Sequence, residues 1–184
     1  MRRAADAELS SLLADLVRDV PDFPKPGIVF KDISPLLGDH SGFTAVVEAL
    51  AKAGRDAEGA PVVDKVAGVE ARGFILAAPV ALALGAGFVP VRKAGKLPGP
   101  VHAESYLLEY GSATLEVHQD AFTPGDRVLI VDDVLATGGT LQATAELVRR
   151  CEATVHGIAV LIELGFLGGC DRLGSYPLSA LLTV

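Results

Sequence analysis

The stretch from Val128 to Thr140 reads Val-Leu-Ile-Val-Asp-Asp-Val-Leu-Ala-Thr-Gly-Gly-Thr. An apolar run, Val128 to Val131, predicts a buried strand. Two carboxylates, Asp132 and Asp133, stand at its carboxyl end. A short loop, Ala136-Thr137-Gly138-Gly139-Thr140, then opens a helix. Backbone N–H groups at such a helix start, unobstructed by side chains, form an anion cradle that the helix dipole favours. Thr137 and Thr140 add hydroxyl donors suited to a phosphate. The aspartates cannot hold a phosphate themselves. They suit sugar hydroxyls, which donate to them, or the oxygen shell of a magnesium ion. The combination asks for a ribose phosphate. The plainer alternative is a tight strand-to-helix turn with two solvated aspartates, but adjacent like charges are unfavourable without partners. The loop has no lysine, so it is not a Walker loop.

Cations that could meet a second anionic group are Arg72, Arg92, Lys93 and Lys96, in a chain whose net charge is −7. Arg72 follows a candidate strand directly. For Arg92 and Lys93 a solvated basic surface is an equally good reading. His40, His102, His118 and His156 share no ligand spacing, and Cys151 and Cys170 fit neither a zinc site nor a disulfide scaffold. A reducing, cytoplasmic setting is the simplest expectation. The acidic balance argues against a nucleic-acid protein working through a basic face.

These groups need a frame. The 184 residues suit one domain, and a composition 50% hydrophobic and 21% charged excludes a disordered chain. Leu9, Leu12, Leu13, Leu16, Val17 and Val20 recur at helical spacing until Pro21 stops the run. The segment Pro21 to Gly27 holds three prolines and predicts neither helix nor central strand. A helix is expected over 41–53, a strand over 62–69, a helix over 73–84 and a strand over 88–91. Residues 92–103 read as a polar loop. Residues 105–110 and 114–118 can pair as a hairpin around Gly111-Ser112. Strands at 127–131 and 155–161 flank a helix at 140–151, and 178–184 is apolar enough for an edge strand. Phe74 to Val91 carries no charge over about the minimum length of a membrane span. Its prolines, glycines and alanines favour a buried helix, a turn and a core strand, so no membrane partner is expected. Strands alternating with helices predict an α/β fold with a mostly parallel sheet and a ligand at the strands' carboxyl ends.

The Val128–Thr140 stretch resembles the phosphoribosyl-diphosphate motif of type I phosphoribosyltransferases. Other segments resemble the adenine-using members of that family. Phe23-Pro24-Lys25-Pro26-Gly27-Ile28-Val29-Phe30-Lys31-Asp32-Ile33 is similar to their base-binding entry. Gly68-Val69-Glu70-Ala71-Arg72-Gly73-Phe74 is similar to their diphosphate-binding turn. Val91 to Pro98 and Ser105 to Gly111 are similar to the two sides of their mobile active-site loop. The likeness covers residues 23–140; the first twenty residues and the tail after about Gly165 add little.

The resemblance implies a single domain over 1–184, with an N-terminal base-binding hood over about 1–40 and a mobile loop over about 92–112. It implies transfer of a 5-phosphoribosyl group from phosphoribosyl diphosphate to N9 of adenine, giving AMP and diphosphate, with Mg²⁺ as cofactor and a homodimer as the assembly. By the same route Asp132, Asp133 and Ala136 to Thr140 hold the ribose 5-phosphate. Arg72, Arg92, Lys93 and Lys96 meet the diphosphate. Val29, Phe30 and Lys31 hold the adenine, Glu109 handles a proton at the purine N7, and Tyr110 covers the site. The turn is expected to contain a cis peptide between Glu70 and Ala71. Many members carry arginine at the position of Lys31, so a side-chain bridge from there to a neighbouring subunit would be weakened.

Val128 to Asp133 also resembles the start of a signalling receiver. Such a domain needs about a hundred more residues, with a later phosphorylated aspartate, and only Asp171 follows Asp133. A regulator that kept the site without the reaction, or an enzyme for another base such as xanthine, are the remaining alternatives.

Overall fold

The computed structural model describes the backbone of residues 2–107 and 111–184, with side chains from residue 8 onward. It forms two compact units, the first ending at Glu48 and the second running over Ala49–Val184.

In the first unit, helix α1 (Arg2–Leu16) leads into a hairpin of β1 (Arg18–Pro21) and β2 (Val29–Asp32). The expected helix through Val20 stops early. Arg18 to Pro21 pair antiparallel with β2, Val20 facing Phe30 and Pro21 facing Val29. Ion pairs Arg18–Asp32 and Lys31–Asp19 cross the same hairpin. Pro21 is tolerated because the strand is an edge, and Pro21 to Gly27 forms the non-helical connection that its prolines require. Helices α2 (Ser34–Gly38) and α3 (His40–Ala51) follow. A β-carbon at Gly42 would sit 3.1 Å from Leu36 Cδ1 and against Leu16 Cδ1, so the glycine lets α3 approach the leucines of α1 and α2.

The second unit is α/β. Its strands are β3 (Lys65–Val69), β4 (Gly87–Lys93), β5 (Val101–Leu107), β6 (Ser112–His118), β7 (Arg127–Leu135), β8 (Thr154–Glu163) and β9 (Leu178–Thr183). They form one seven-stranded sheet in the order β5-β6-β4-β3-β7-β8-β9. Pairing is parallel from β4 through β9 and antiparallel around β6. Helix α4 (Arg72–Leu84) connects β3 to β4, and α5 (Gly139–Arg150) connects β7 to β8. The two crossovers leave β3 and β7 in opposite directions. The crevice between those neighbours is therefore the switch point where α/β sheets take ligands.

Alternation along the strands explains the layers. Ala67, Val69, Val128 and Ile130 belong to a buried cluster with Leu141, Leu147 and Val148 of α5. Gly68 points the other way, and a β-carbon there would lie 2.6 Å from Ala77 Cβ of α4. Val128 to Val131 are fully buried, as a strand covered on both faces must be.

Several strand boundaries differ from the sequence expectation. Strand β4 continues to Lys93 and β5 starts at Val101, so only residues 94–100 of the expected loop stay irregular. Arg92 and Lys93 pair with Glu116 and Leu115 of β6. Strand β7 also runs on to Leu135, so the acidic pair lies inside a strand. Beyond Val131 it has lost β3 on one side but keeps β8, with Asp132 facing Val160 and Leu135 facing Glu163. The tail strand falls at the sheet edge as expected. Among the described residues no helix is long and apolar enough to cross a membrane.

Candidate active site

The end of β3 exposes one side of β7, and a cleft of about 340 Å³ opens there. Glu70, Arg72, Lys93, Tyr106, Asp132, Asp133 and the loop from Ala136 to Gly138 line it, with Thr140. The structure thus gathers the sequence-predicted acidic pair, the glycine loop, Arg72 and Lys93 around one space. Arg92 and Lys96 join it through Glu70, as described below.

Both aspartates are buried, at 8% and 6% exposure. Asp133 forms an ion pair with Arg72 Nη2 at 2.7 Å. Asp132 Oδ1 accepts the Asp133 N–H at 2.9 Å. Burial, and then the neighbouring Asp133 charge, push the Asp132 carboxyl well above the usual carboxylate range, with Arg72 pulling the other way. The pair is charged ground that a ligand with hydroxyl donors would relieve. Gly73, in the first turn of α4, stands directly beside it. A β-carbon at Gly73 would lie 2.7 Å from Asp132 Oδ1, so only glycine lets α4 start this close to β7. The peptide between Glu70 and Ala71 is cis, as the resemblance implies.

The loop reaches α5 through Gly138, whose φ of +80° is left-handed backbone that favours glycine. Gly138 N-caps α5, so the first amides of that helix open onto the cleft. The loop is also backed from behind. A β-carbon on Gly138 would lie 2.5 Å from the Gly169 carbonyl, and one on Gly169 would collide with the Ala136 carbonyl. Gly169 opens the short helix α6 (Gly169–Arg172). The tail after Gly165, which adds little by resemblance, is therefore the wall against which the loop is shaped. Tyr106 was also missed. Its hydroxyl accepts from Thr140 Oγ1 at 3.2 Å, and its ring would lie 3.0 Å from a β-carbon on Gly139. The alternating burial of β5 turns Tyr106 inward, a signal that period-two patterning carries.

Glu70 is the third residue that sequence reasoning passed over. Its side chain is 8% exposed and accepts from Lys96 Nζ, Arg92 Nε and the Lys93 N–H. Glu109 and Tyr110 lie outside the described residues. The hairpin that leads to them is tied to α5 by Arg150, which donates to the Ala103 carbonyl at 2.9 Å and pairs with Glu104.

The base-binding candidates lie in the first unit. Val29 is half exposed, and the Phe30 ring meets Phe23 edge-to-face with centroids 5.2 Å apart. With Ile28, Phe23 and Val29 form an exposed apolar corner. Lys31 Nζ is engaged by Asp19 at 2.6 Å within the same hairpin.

Among the described residues no cluster of three or more His, Cys, Asp or Glu side chains is arranged to hold a metal ion. The Asp132–Asp133 oxygens are nevertheless of the hard type that Mg²⁺ takes. The residues fit a magnesium ion carried mainly on the oxygens of its substrate.

Comparison with known proteins places these features in context. Residues 36–173 match the family model described as the phosphoribosyl transferase domain. An adenine phosphoribosyltransferase of Nocardioides sp. is 69% identical over 176 residues, covering 96% of this chain and 95% of that protein. The crystal structure of adenine phosphoribosyltransferase from Rhodothermus marinus superposes with a TM-score of 0.89 at 51% identity, covering 97% of this chain and 99% of that one. The Saccharomyces cerevisiae adenine phosphoribosyltransferase, complexed with an imino-altritol bisphosphate and adenine, gives 0.90 at 39% identity, covering 96% and 99%.

Proposed function

The chain belongs to the phosphoribosyl transferase family, and we propose on that premise that its cleft carries out adenine phosphoribosyl transfer. The enzyme moves the 5-phosphoribosyl group of phosphoribosyl diphosphate to N9 of adenine, yielding AMP and diphosphate in purine salvage. The observation that carries the reading is the buried Asp132–Asp133 pair, which precedes a glycine loop at a helix start and is faced by Arg72.

Each residue's part follows from its chemistry. The amides of Ala136 to Thr140 receive the 5-phosphate, with the Thr137 and Thr140 hydroxyls as further donors. Asp132 and Asp133 accept hydrogen bonds from the ribose hydroxyls. This fixes the sugar with its C1 toward the cations at the end of β3. Arg72, Arg92, Lys93 and Lys96 meet the diphosphate and stabilise the charge that builds as the C1–oxygen bond breaks. The transition state is oxocarbenium-like, so the protein contributes placement and charge more than covalent chemistry. The new bond forms from purine N9 to C1 as the C1–oxygen bond to diphosphate breaks, the base reacting as its N7–H tautomer so that the proton it loses is the one at N7. Glu109 is proposed to handle the proton at N7, and Tyr110 to cover the reacting centre. Phe30 stacks on the base while the backbone at Val29 and Lys31 reads its edge. When bound, Mg²⁺ neutralises charge on the diphosphate oxygens.

The exposed Ile75 and Leu82 on α4 support a homodimer. Cys151 and Cys170, both free, support a reducing cytoplasmic setting. The decisive test is AMP formation from adenine and phosphoribosyl diphosphate with Mg²⁺. Absence of AMP from folded protein rejects the assignment.

Residues 92–112 are proposed to close over bound substrates. Residues 94–100 carry no regular structure, and β5, which follows them, is the edge strand of the sheet. Amide hydrogen exchange over residues 92–112 is expected to be the fastest of any internal segment and to slow when both substrates bind. Protection that is high and indifferent to substrates would reject the closing motion.

A further inference from the structure

Two of the four cations proposed for the diphosphate, Arg92 and Lys96, converge on one carboxylate. Glu70 follows β3 and reaches across to the end of β4. Its Oε1 accepts from Lys96 Nζ at 2.5 Å. Its Oε2 accepts from Arg92 Nε at 3.3 Å and from the Lys93 N–H at 3.0 Å. Arg92 also donates through Nη1 to the Lys96 carbonyl at 3.1 Å, so the cluster closes on itself. The Lys96 ammonium, with help from the Lys93 N–H, holds the Glu70 carboxyl below its usual range against the opposing effect of burial.

Two anionic oxygens receiving an ammonium, a guanidinium and a backbone N–H match what a pair of phosphate oxygens would receive. Glu70 lines the same cleft as Arg72 and Lys93. Its own side chain is 8% exposed, whereas those of Arg92 and Lys96 are 33% and 48% exposed. The carboxylate is the fixed member, and the two cations sit on long, half-solvated stems able to swing.

We propose that Glu70 is an internal stand-in for diphosphate: it holds Arg92 and Lys96 in the unliganded enzyme, yields them to the incoming diphosphate group, and takes them back as diphosphate leaves. The idea rests on the diphosphate reading of this cleft. An arriving diphosphate must compete with Glu70 for both cations and then remain near its negative charge. Binding is weakened by that competition, and release of the product is helped by the same amount.

A mere anchor would behave in the opposite way. If Glu70 only aimed Arg92 and Lys96 at the ligand, losing its charge would disorder them and weaken binding. The sign of the change therefore decides. Glu70→Gln keeps the shape and removes the charge. Diphosphate is titrated calorimetrically into wild type and variant, each with AMP and Mg²⁺. The Glu70→Gln protein should bind diphosphate about three- to tenfold more tightly, a modest factor because the partners are half exposed. Its KM for phosphoribosyl diphosphate should fall along with kcat if product release limits turnover.

A second measurement needs no variant. In wild type carrying ¹³C-labelled glutamate, the assigned Glu70 carboxyl resonance should move when diphosphate is added, as its cations depart. Wild type that fails to bind diphosphate overturns the reading of the cleft, and the stand-in with it. Wild type that binds, beside a Gln variant that binds equally or more weakly, overturns the stand-in alone. An unmoved Glu70 resonance in saturated wild type does the same.

Discussion

Replacing Asp132 and Asp133 together by asparagine is expected to abolish useful binding of phosphoribosyl diphosphate while leaving the fold in place. Each lost charged acceptor for a ribose hydroxyl is worth about 1.5–3 kcal/mol, so the pair is worth about 3–6 kcal/mol. That corresponds to roughly a hundredfold to ten-thousandfold in affinity. The fold should survive because asparagine keeps the shape and an acceptor oxygen at both positions. Oδ1 at 132 can still receive the N–H of residue 133, now made at 2.9 Å, and Oδ1 at 133 can still receive Arg72. The change also removes a buried like-charge contact, which after burial itself is what raises the Asp132 pKa. The double variant should therefore melt no lower than wild type by more than a few degrees. Calorimetric titration measures the first effect and scanning calorimetry the second. Affinity within tenfold of wild type, in a variant that melts normally, would show that the pair does not hold the ribose.

The sheet was legible in the sequence where burial is complete. Parallel strands covered on both faces read as continuous apolar runs, and Val128 to Val131 and Ile158 to Leu161 are such runs. Boundaries set by pairing were not legible. Val17 and Val20 keep the helical spacing of α1, yet the chain from Arg18 gives its backbone to β2. Nothing local announces that competition. Arg92 and Lys93 look like loop residues by polarity, but they continue β4 because β6 runs beside them and Glu70 receives their donors. Likewise β7 outlasts its apolar run because β8 supports it past Val131.

The candidate site divides along the same line. The glycine loop and acidic pair are local in sequence, so their chemistry was visible. Tyr106, Glu70 and Gly169 act on them from elsewhere in the chain. Gly169 makes the point most clearly. Its sequence neighbours suggest only a tail, yet its lack of a side chain is what admits the Ala136 carbonyl. Arg72 was legible as a cation directly after a strand, but its ion pair with Asp133 required the topology that sets β3 beside β7.

Base choice is the second large effect. The enzyme is expected to use adenine and to reject hypoxanthine and guanine by roughly 10⁴-fold in kcat/KM, because a site that hydrogen-bonds its substrate leaves buried polar groups unpaired with the wrong one. Stacking cannot supply this discrimination. The Phe30 ring, propped edge-to-face by Phe23, offers the same apolar surface to every purine. The Lys31 side chain is engaged by Asp19 and is a poor candidate for reading the base. Discrimination is left to the backbone of β2, which pairs with β1 along one edge of a two-stranded sheet. Adenine presents a 6-amino donor beside an N1 acceptor. Hypoxanthine presents a 6-oxo acceptor beside an N1 donor, the reverse pattern. A backbone carbonyl and N–H at Val29 and Lys31 that match the first must oppose the second. With main-chain groups as the proposed readers, Lys31→Ala should leave the adenine preference intact, whereas Phe30→Ala should weaken all purines alike. Competition assays with the three bases at saturating phosphoribosyl diphosphate measure the ratios directly. Hypoxanthine used within tenfold of adenine would mean that the β2 backbone does not read the base edge.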